Sequence, residues 1–310
     1  MKPLAKIITV FISVLYGGVA IAQTGEPYIY ILGVAQDAGY PQIGCYEEHC
    51  LPGWIDPSLR RGATSIAVIN PDSGQKFLFE ATPNLPSQLY ALDLEAPNER
   101  FRLAGVFLTH AHIGHYAGLM FFGHEAMSAS NQSVYAMPRM LGFLKNNGPW
   151  SQLVEFENIR LEALQEAQAE SFTGINVTPF LVPHRDEFSE TVGYEIAGPN
   201  KTAVFIPDIN KWSLWDTDLT ELVRSVDYAL IDATFYDDEE LPGRDMSQIP
   251  HPFVSESMSA LSELSSEERA KVWFIHFNHT NPLLNAESEE SRFVRSQGFN
   301  VAAEGVRLPL

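Results

Sequence analysis

Short apolar runs, each closed by a Gly/Pro or polar loop, recur along the whole chain and predict a series of strands. The first is "YIYILGVAQD" (28–37), followed by the loop "AGYPQIGC". "TSIAVIN" (64–70) and "KFLFEAT" (76–82) flank "PDSGQ" and predict a hairpin. "GVFLT" (105–109), "SVYAMP" and "INVTPFLVPH" (175–184) follow, then the pair "TVGYEIAG" and "TAVFIPD" (202–208). "DYALIDATF" (227–235) and "KVWFIHF" (271–277) complete the set. Helical spacing appears between them in "LPSQLYALDL", from Tyr116 to Met127 and in "PRMLGFLKNN". Interspersed strands and helices predict mixed α/β layering. No low-complexity tract or linker interrupts the pattern, so residues 23–310 are expected to form a single domain.

The first residues break this pattern. "MKPLAKIITVFISVLYGGVAIAQ" sets Lys2 and Lys6 before an apolar stretch and ends in Ala20-Ile21-Ala22. That is the layout of a secretory signal peptide, residues 1–22, with cleavage near Ala22. The apolar stretch is shorter than the ~20 residues of a spanning helix. The expected product is exported, periplasmic or secreted, with no membrane insertion after cleavage. Loss of Lys2 and Lys6 takes the formal net charge from −19 to −21. Such a chain repels nucleic-acid backbones and anionic membrane surfaces, which leaves a small molecule as the expected substrate. Oligomeric state is not readable.

Of the 310 residues only Cys45 and Cys50, in "GCYEEHC", are cysteines. In an exported chain they read either as a disulfide or as part of a structural zinc site completed by a distant ligand such as His279.

The candidate chemistry lies at the strand ends. "FLTHAHIGHYAG" places His110, His112 and His115 directly after an apolar strand. In H-x-H on an extended loop, positions i and i+2 share a side, so His110 and His112 can converge on one ion. His115 begins the next element and can face a neighbouring position. His184 follows "FLVP", Asp208 follows "VFIP", and Asp232 and His276 lie near the ends of later apolar runs. Neutral imidazole and carboxylate are zinc-site donors. His251 lies in a polar, Pro-containing loop that can cover such a site. Trp212 and Trp215 read as packing.

The order H-x-H-x-x-H, then His184, Asp208 and His276, resembles the metallo-β-lactamase superfamily. The resemblance implies a four-layer αβ/βα sandwich, an α/β fold with one or two zinc ions at a sheet edge. It implies that His110, His112 and His184 hold a first metal, and that His115, Asp208 and His276 serve a second, with Asp208 bridging. "LGVAQDAGYPQIGC", "LIDATFYDDEEL" and "HFNHTNPLL" further resemble the pyrroloquinoline quinone biosynthesis protein B group. The cysteine cluster is thinner here than in that group and the histidine cluster fuller. Asp37 and Asp232 resemble carboxylates that stand behind the metals or handle protons.

The implied activity is metal-dependent hydrolysis of an ester, lactone or phosphodiester bond. Asp208 would orient the attacking hydroxide, and Asp232 or His251 would protonate the leaving group. The superfamily pattern has an aspartate where this chain has Gly114. The expectation is therefore one tight zinc and a weaker second ion, with iron or manganese also compatible with the donors. The alternative is a non-catalytic exported binding or carrier protein related to the quinone-biosynthesis group.

Overall fold

A computed structural model describes residues 25–310. The expected signal peptide, residues 1–22, lies outside the described residues. Fourteen strands occur among the described residues. They are β1 (Tyr28–Gly33), β2 (Ser65–Asn70), β3 (Gln75–Phe79), β4 (Arg102–Phe107), β5 (Gln132–Ala136) and β6 (Ile159–Ala163). Next come β7 (Glu170–Phe172), β8 (Ile175–Leu181), β9 (Val192–Ala197) and β10 (Thr202–Ile206). The last are β11 (Tyr228–Asp232), β12 (Val272–Ile275), β13 (Asn300–Val301) and β14 (Arg307–Pro309). They form two seven-stranded sheets, ordered β14-β1-β2-β3-β4-β5-β6 and β13-β12-β11-β10-β9-β8-β7.

The burial pattern explains the arrangement. β2 is buried at every position, because it is flanked by β1 and β3 and covered on both faces. Strands covered on both faces read as continuous apolar runs. β8 instead alternates buried and accessible positions, the period-two signature of a strand with one wet face. Between the sheets Phe79 stacks on Phe107 at 4.9 Å and meets Tyr194 edge-on at 5.4 Å. Outside the first sheet, helices Leu85–Glu95, Pro138–Asn146 and Trp150–Glu155 bury Leu85, Leu92, Met140, Leu144 and Leu153. On the second sheet, helices Leu219–Ser225, Val254–Ala260 and Glu289–Ser296 bury Leu219, Val223, Val254 and Val294. Helix, sheet, sheet, helix is the expected four-layer sandwich.

β3 through β6 run parallel, as do β10 through β13, so the ends of several strands fall along one edge. The two sheets are joined there. Past β1, Gln36 N donates to Phe277 O at 2.7 Å, and Phe277 N donates to Val34 O at 2.8 Å. This tie brings the loop after β1 against the loop after β12.

The expected helix from Tyr116 to Met127 is corrected. A single turn, Ile113–Tyr116, passes into a 3-10 segment, Ala117–Phe122, and stops at Gly123. The segment is pinned by Gly118 N donating to Ala81 O at 2.8 Å, and a Cβ on Gly118 would lie 2.0 Å from the Thr82 carbonyl. Close backbone packing takes precedence over helix propagation here. Among the described residues no helix is long and apolar enough to cross a membrane.

Candidate metal centre

Each candidate ligand sits just past an apolar strand, where the chain leaves the sheet and its side chain can turn to the shared edge. His110 and His112 follow β4, Asp208 follows β10, Asp232 ends β11 and His276 follows β12. His184 lies beyond β8, and His115 is in the short turn after β4. His276 has φ +73°, a left-handed conformation of the kind found at functional sites.

Four donor atoms converge first. His110 Nε2 lies 2.8 Å from His112 Nδ1, and His184 Nε2 lies 3.3 Å from the same atom. Asp208 Oδ2 is 3.3 Å from His110 Nε2 and 3.2 Å from His184 Nε2. A tetrahedral zinc with bonds of ~2.0–2.1 Å needs ligand atoms about 3.3 Å apart. The spacing and the donor set therefore fit a metal. Outer partners hold the rings. Thr109 Oγ1 stands 2.9 Å from His110 Nδ1, and Asn210 Oδ1 stands 3.2 Å from His184 Nδ1. Burial pushes His110 and His112 below the ordinary histidine range, which keeps them neutral with a lone pair to donate.

A second group shares Asp208. His115 Nε2 lies 3.6 Å from Asp208 Oδ2 and 3.3 Å from Asp37 Oδ1. Asp37, His115 and His276 bring one donor atom each within 4.8 Å of one another. Thr234 Oγ1 stands 3.0 Å from His276 Nδ1. Asp37 Oδ1, His115 Nε2, His276 Nε2 and Asp208 Oδ1 are buried without a hydrogen bond. Buried polar atoms are normally satisfied, so Asp37, His115 and His276, which cluster and each keep such an atom unbonded, form what a metal position requires. Burial lowers the pKa of His115, but Glu80 and Asp37 outweigh it and hold the ring well above its ordinary value. For Asp37, burial pushes up while the adjacent His115 pulls harder, so its carboxyl stays below the usual range.

A third group links Asp208 to the proton-handling residues expected from the sequence. His251 Nδ1 is 2.9 Å from Asp232 Oδ2 and 3.1 Å from Asp208 Oδ1. Burial lowers the pKa of His251, yet Asp232 and then Asp208 raise it to about 10. Asp232 accepts from Ile209 N at 3.1 Å and from Thr234 Oγ1 at 2.7 Å. The site meets solvent chiefly at the side chains of Asp37, 34% exposed, and His112, 15% exposed.

Sequence reasoning missed Glu80. It is fully buried, receives Thr109 Oγ1 at 2.5 Å and faces His115 Nδ1 at 3.2 Å. A carboxylate ending the apolar run "KFLFEAT" was the available clue. Trp212 and Trp215 are packing residues, the first donating to Ser257 Oγ at 2.8 Å and the second stacked on Phe180 at 5.9 Å.

Apart from this centre, Cys45 and Cys50 are joined as a disulfide. His279 does come beside them, along with His49, whose Nε2 is 3.3 Å from Cys45 Sγ. With both sulfurs in the disulfide neither is a thiolate, so the structural-zinc alternative does not apply to this form.

Comparison with known proteins agrees with this architecture. The chain is 28% identical to a coenzyme PQQ synthesis protein B of Methylobacterium sp. (strain 4-46), covering 90% of this chain and 99% of the relative. A relative of the same name from Xanthomonas euvesicatoria pv. vesicatoria is 27% identical over 91% of this chain and 99% of its own. The crystal structure of Zn(2+)-bound PqqB from Methylobacterium extorquens superposes with a TM-score of 0.75 at 25% identity, covering 91% of this chain and all of that one. A diphosphatase from the PhnP family shares the fold, with a TM-score of 0.64 at 20% identity, over 92% of this chain and 98% of its own. Residues 75–277, which carry every histidine of the metal centre, match the family model of the β-lactamase superfamily domain, and the chain belongs to that family.

Proposed function

We propose that this protein is an exported zinc-dependent hydrolase that cleaves an ester, lactone or phosphodiester bond of a small molecule. The proposal includes a signal peptide at residues 1–22 followed by a single domain, residues 23–310. The observation that carries it is the ring formed by His110, His112, His184 and Asp208, whose donor atoms stand 2.8–3.3 Å apart along its measured edges. A metal held there would supply Lewis acidity and lower the pKa of bound water to near ~7.

The chain's own groups supply the rest. Asp208 spans the site, with Oδ2 toward His110, His184 and His115 and Oδ1 toward His251, so it can orient a nucleophile. Asp232 and then Asp208 raise the pKa of His251 and so favour its protonated form. With Nδ1 engaged by Asp232, Nε2 is the atom that gives a proton to the leaving group. Ile113, next to His112, and Phe188, next to Glu187, are largely exposed and offer an apolar rim to an organic substrate.

A second reading has one supporting observation, the 28% identity to a coenzyme PQQ synthesis protein B over nearly the whole chain. On that reading the protein is a non-catalytic exported carrier. Metal analysis for zinc, iron and manganese, paired with an ester, lactone and phosphodiester panel, tests the two. Hydrolysis that collapses in a folded His112→Ala variant supports the enzyme. Absence of bound metal and of any turnover by the wild type sinks it.

A further inference from the structure

Gly114 stands where the superfamily pattern carries an aspartate, and the structure shows what occupies that space. A Cβ built on Gly114 would fall 2.1 Å from Asp37 Oδ1 and 2.8 Å from Asp37 Cα. The first separation is far inside van der Waals contact, so Oδ1 lies in the volume that a side chain at 114 would fill. The second involves backbone, which cannot swing away as a side-chain tip can. Asp37 and any side chain at 114 are therefore mutually exclusive while the loop keeps its course.

That course is fixed. The segment before Asp37 is paired with Phe277, next to His276, through the 2.7 and 2.8 Å backbone bonds that join the sheets. Ala38 and Gly39 then turn the chain away at φ +84° and +90°. Asp37 Oδ1 is left 3.3 Å from His115 Nε2, and neither atom has a hydrogen bond. Glu80 faces the other nitrogen of His115, so Nε2 looks onto Asp37 Oδ1 and Asp208 Oδ2. A lone pair facing two carboxylate oxygens needs a cation between them, either a proton or a metal.

The geometry points to Asp37 as a ligand of the second metal position, supplying from the loop after β1 the carboxylate that residue 114 lacks. The second position then comprises Asp37, His115, His276 and the shared Asp208, four ligands in place of three. Gly114 becomes the condition for this arrangement, since only glycine leaves room for Asp37. The inference rests on reading the site as a metal centre.

The test is zinc and Co2+ titration of the purified full-length protein by calorimetry and Co2+ absorption, with elemental analysis for stoichiometry. The wild type should bind two ions. Asp37→Asn should keep the first ion with little change and bind the second at least tenfold more weakly. Gly114→Asp alone should also lose the second ion, because two side chains then compete for one space. The Co2+ absorption of the second ion should change in Asp37→Asn while that of the first does not, and that spectral change distinguishes a ligand from an ion-pair partner of His115. If Asp37→Asn binds both ions as tightly as the wild type, or the wild type binds one ion and Asp37→Asn binds it equally, Asp37 is no ligand and the first position stands. If the wild type binds no ion, the metal-centre reading itself falls, and this inference with it. Asp37→Ser, with circular dichroism and the first-ion affinity as folding controls, covers the case in which the asparagine variant misfolds.

Discussion

Glu80 Oε1 stands 3.2 Å from His115 Nδ1, and both side chains are closed off from solvent. Glu80 leaves β3 with φ +75°, which turns its carboxylate inward to receive Thr109 Oγ1 at 2.5 Å. A carboxylate behind a ligating imidazole fixes its orientation and raises its basicity, and loss of such a partner costs about 10–100-fold in metal affinity. Glu80→Gln keeps the shape and removes the charge. The expected result is a drop of that size at the position His115 serves, with less change at the His110–His112–His184 position. Competition against a chromophoric chelator measures both. Equal affinities in variant and wild type would show that Glu80 serves the fold alone.

How much of this was legible beforehand depended on burial. The end of β4 and most of β10, β11 and β12 are buried and read as apolar runs, so the polar residues that follow them, His110, Asp208 and His276, were conspicuous. β6 and β7 are sheet edges, β13 and β14 are two and three residues long, and none of the four carries a pattern strong enough to predict a strand. Asp37 was visible as a carboxylate, but its place beside Gly114 depends on a tie between the loops after β1 and β12, which no local pattern encodes. The positive φ of Glu80 and His276 was equally hidden, because those conformations are imposed by tertiary packing.

Lys76 carries a second testable relationship. Its ammonium is buried beneath the helix Leu85–Glu95, 2.5 Å from Asp93 Oδ1 and 2.7 Å from the Ala96 carbonyl. Replacing both charges of a buried pair by apolar groups is often neutral, whereas removing one partner strands the other. Asp93→Asn leaves the ammonium buried and should cost about 1–3 kcal/mol, less than the ~3–5 kcal/mol of a fully buried pair because Asp93 is 36% exposed. Lys76→Met combined with Asp93→Asn should recover most of that loss. Urea unfolding of the three proteins decides it, and a double variant no better than Asp93→Asn would count against the pairing.

Glu240 gives a pH dependence. Burial raises its carboxyl from 4.5 to about 7, against the opposing pull of hydrogen bonds from Thr280 and from Tyr236 N. Between those two values the folded chain keeps a proton that the unfolded chain has lost. Stability from this group is therefore fully present below pH ~4.5 and declines as pH rises through about 7. The loss should be on the order of 2 kcal/mol, reduced from the full linkage value because Glu240 is partly exposed. Glu240→Gln cannot ionise, so the stability difference between wild type and variant should change across that window and be flat above it. Denaturant melts from pH 4 to 8 provide the curve, and a constant difference would remove Glu240 as its source.

Tyr194 connects the second sheet to the first metal position. From β9 its hydroxyl donates to the Leu108 carbonyl at 2.5 Å, two residues before His110, and its ring packs edge-on against Phe79 and Phe107. Burial holds the phenol well above its ordinary pKa, so it remains a donor. Tyr194→Phe preserves the packing and deletes the bond, which should cost about 1–2 kcal/mol in unfolding free energy. His110 is held independently by Thr109, so metal affinity at its position should fall by less than tenfold. If affinity fell much further while stability barely moved, the bond would be serving the site rather than the fold. The reverse pattern, lost stability with intact affinity, is the one this geometry predicts, because the hydroxyl anchors the strand end and Thr109 orients the ring.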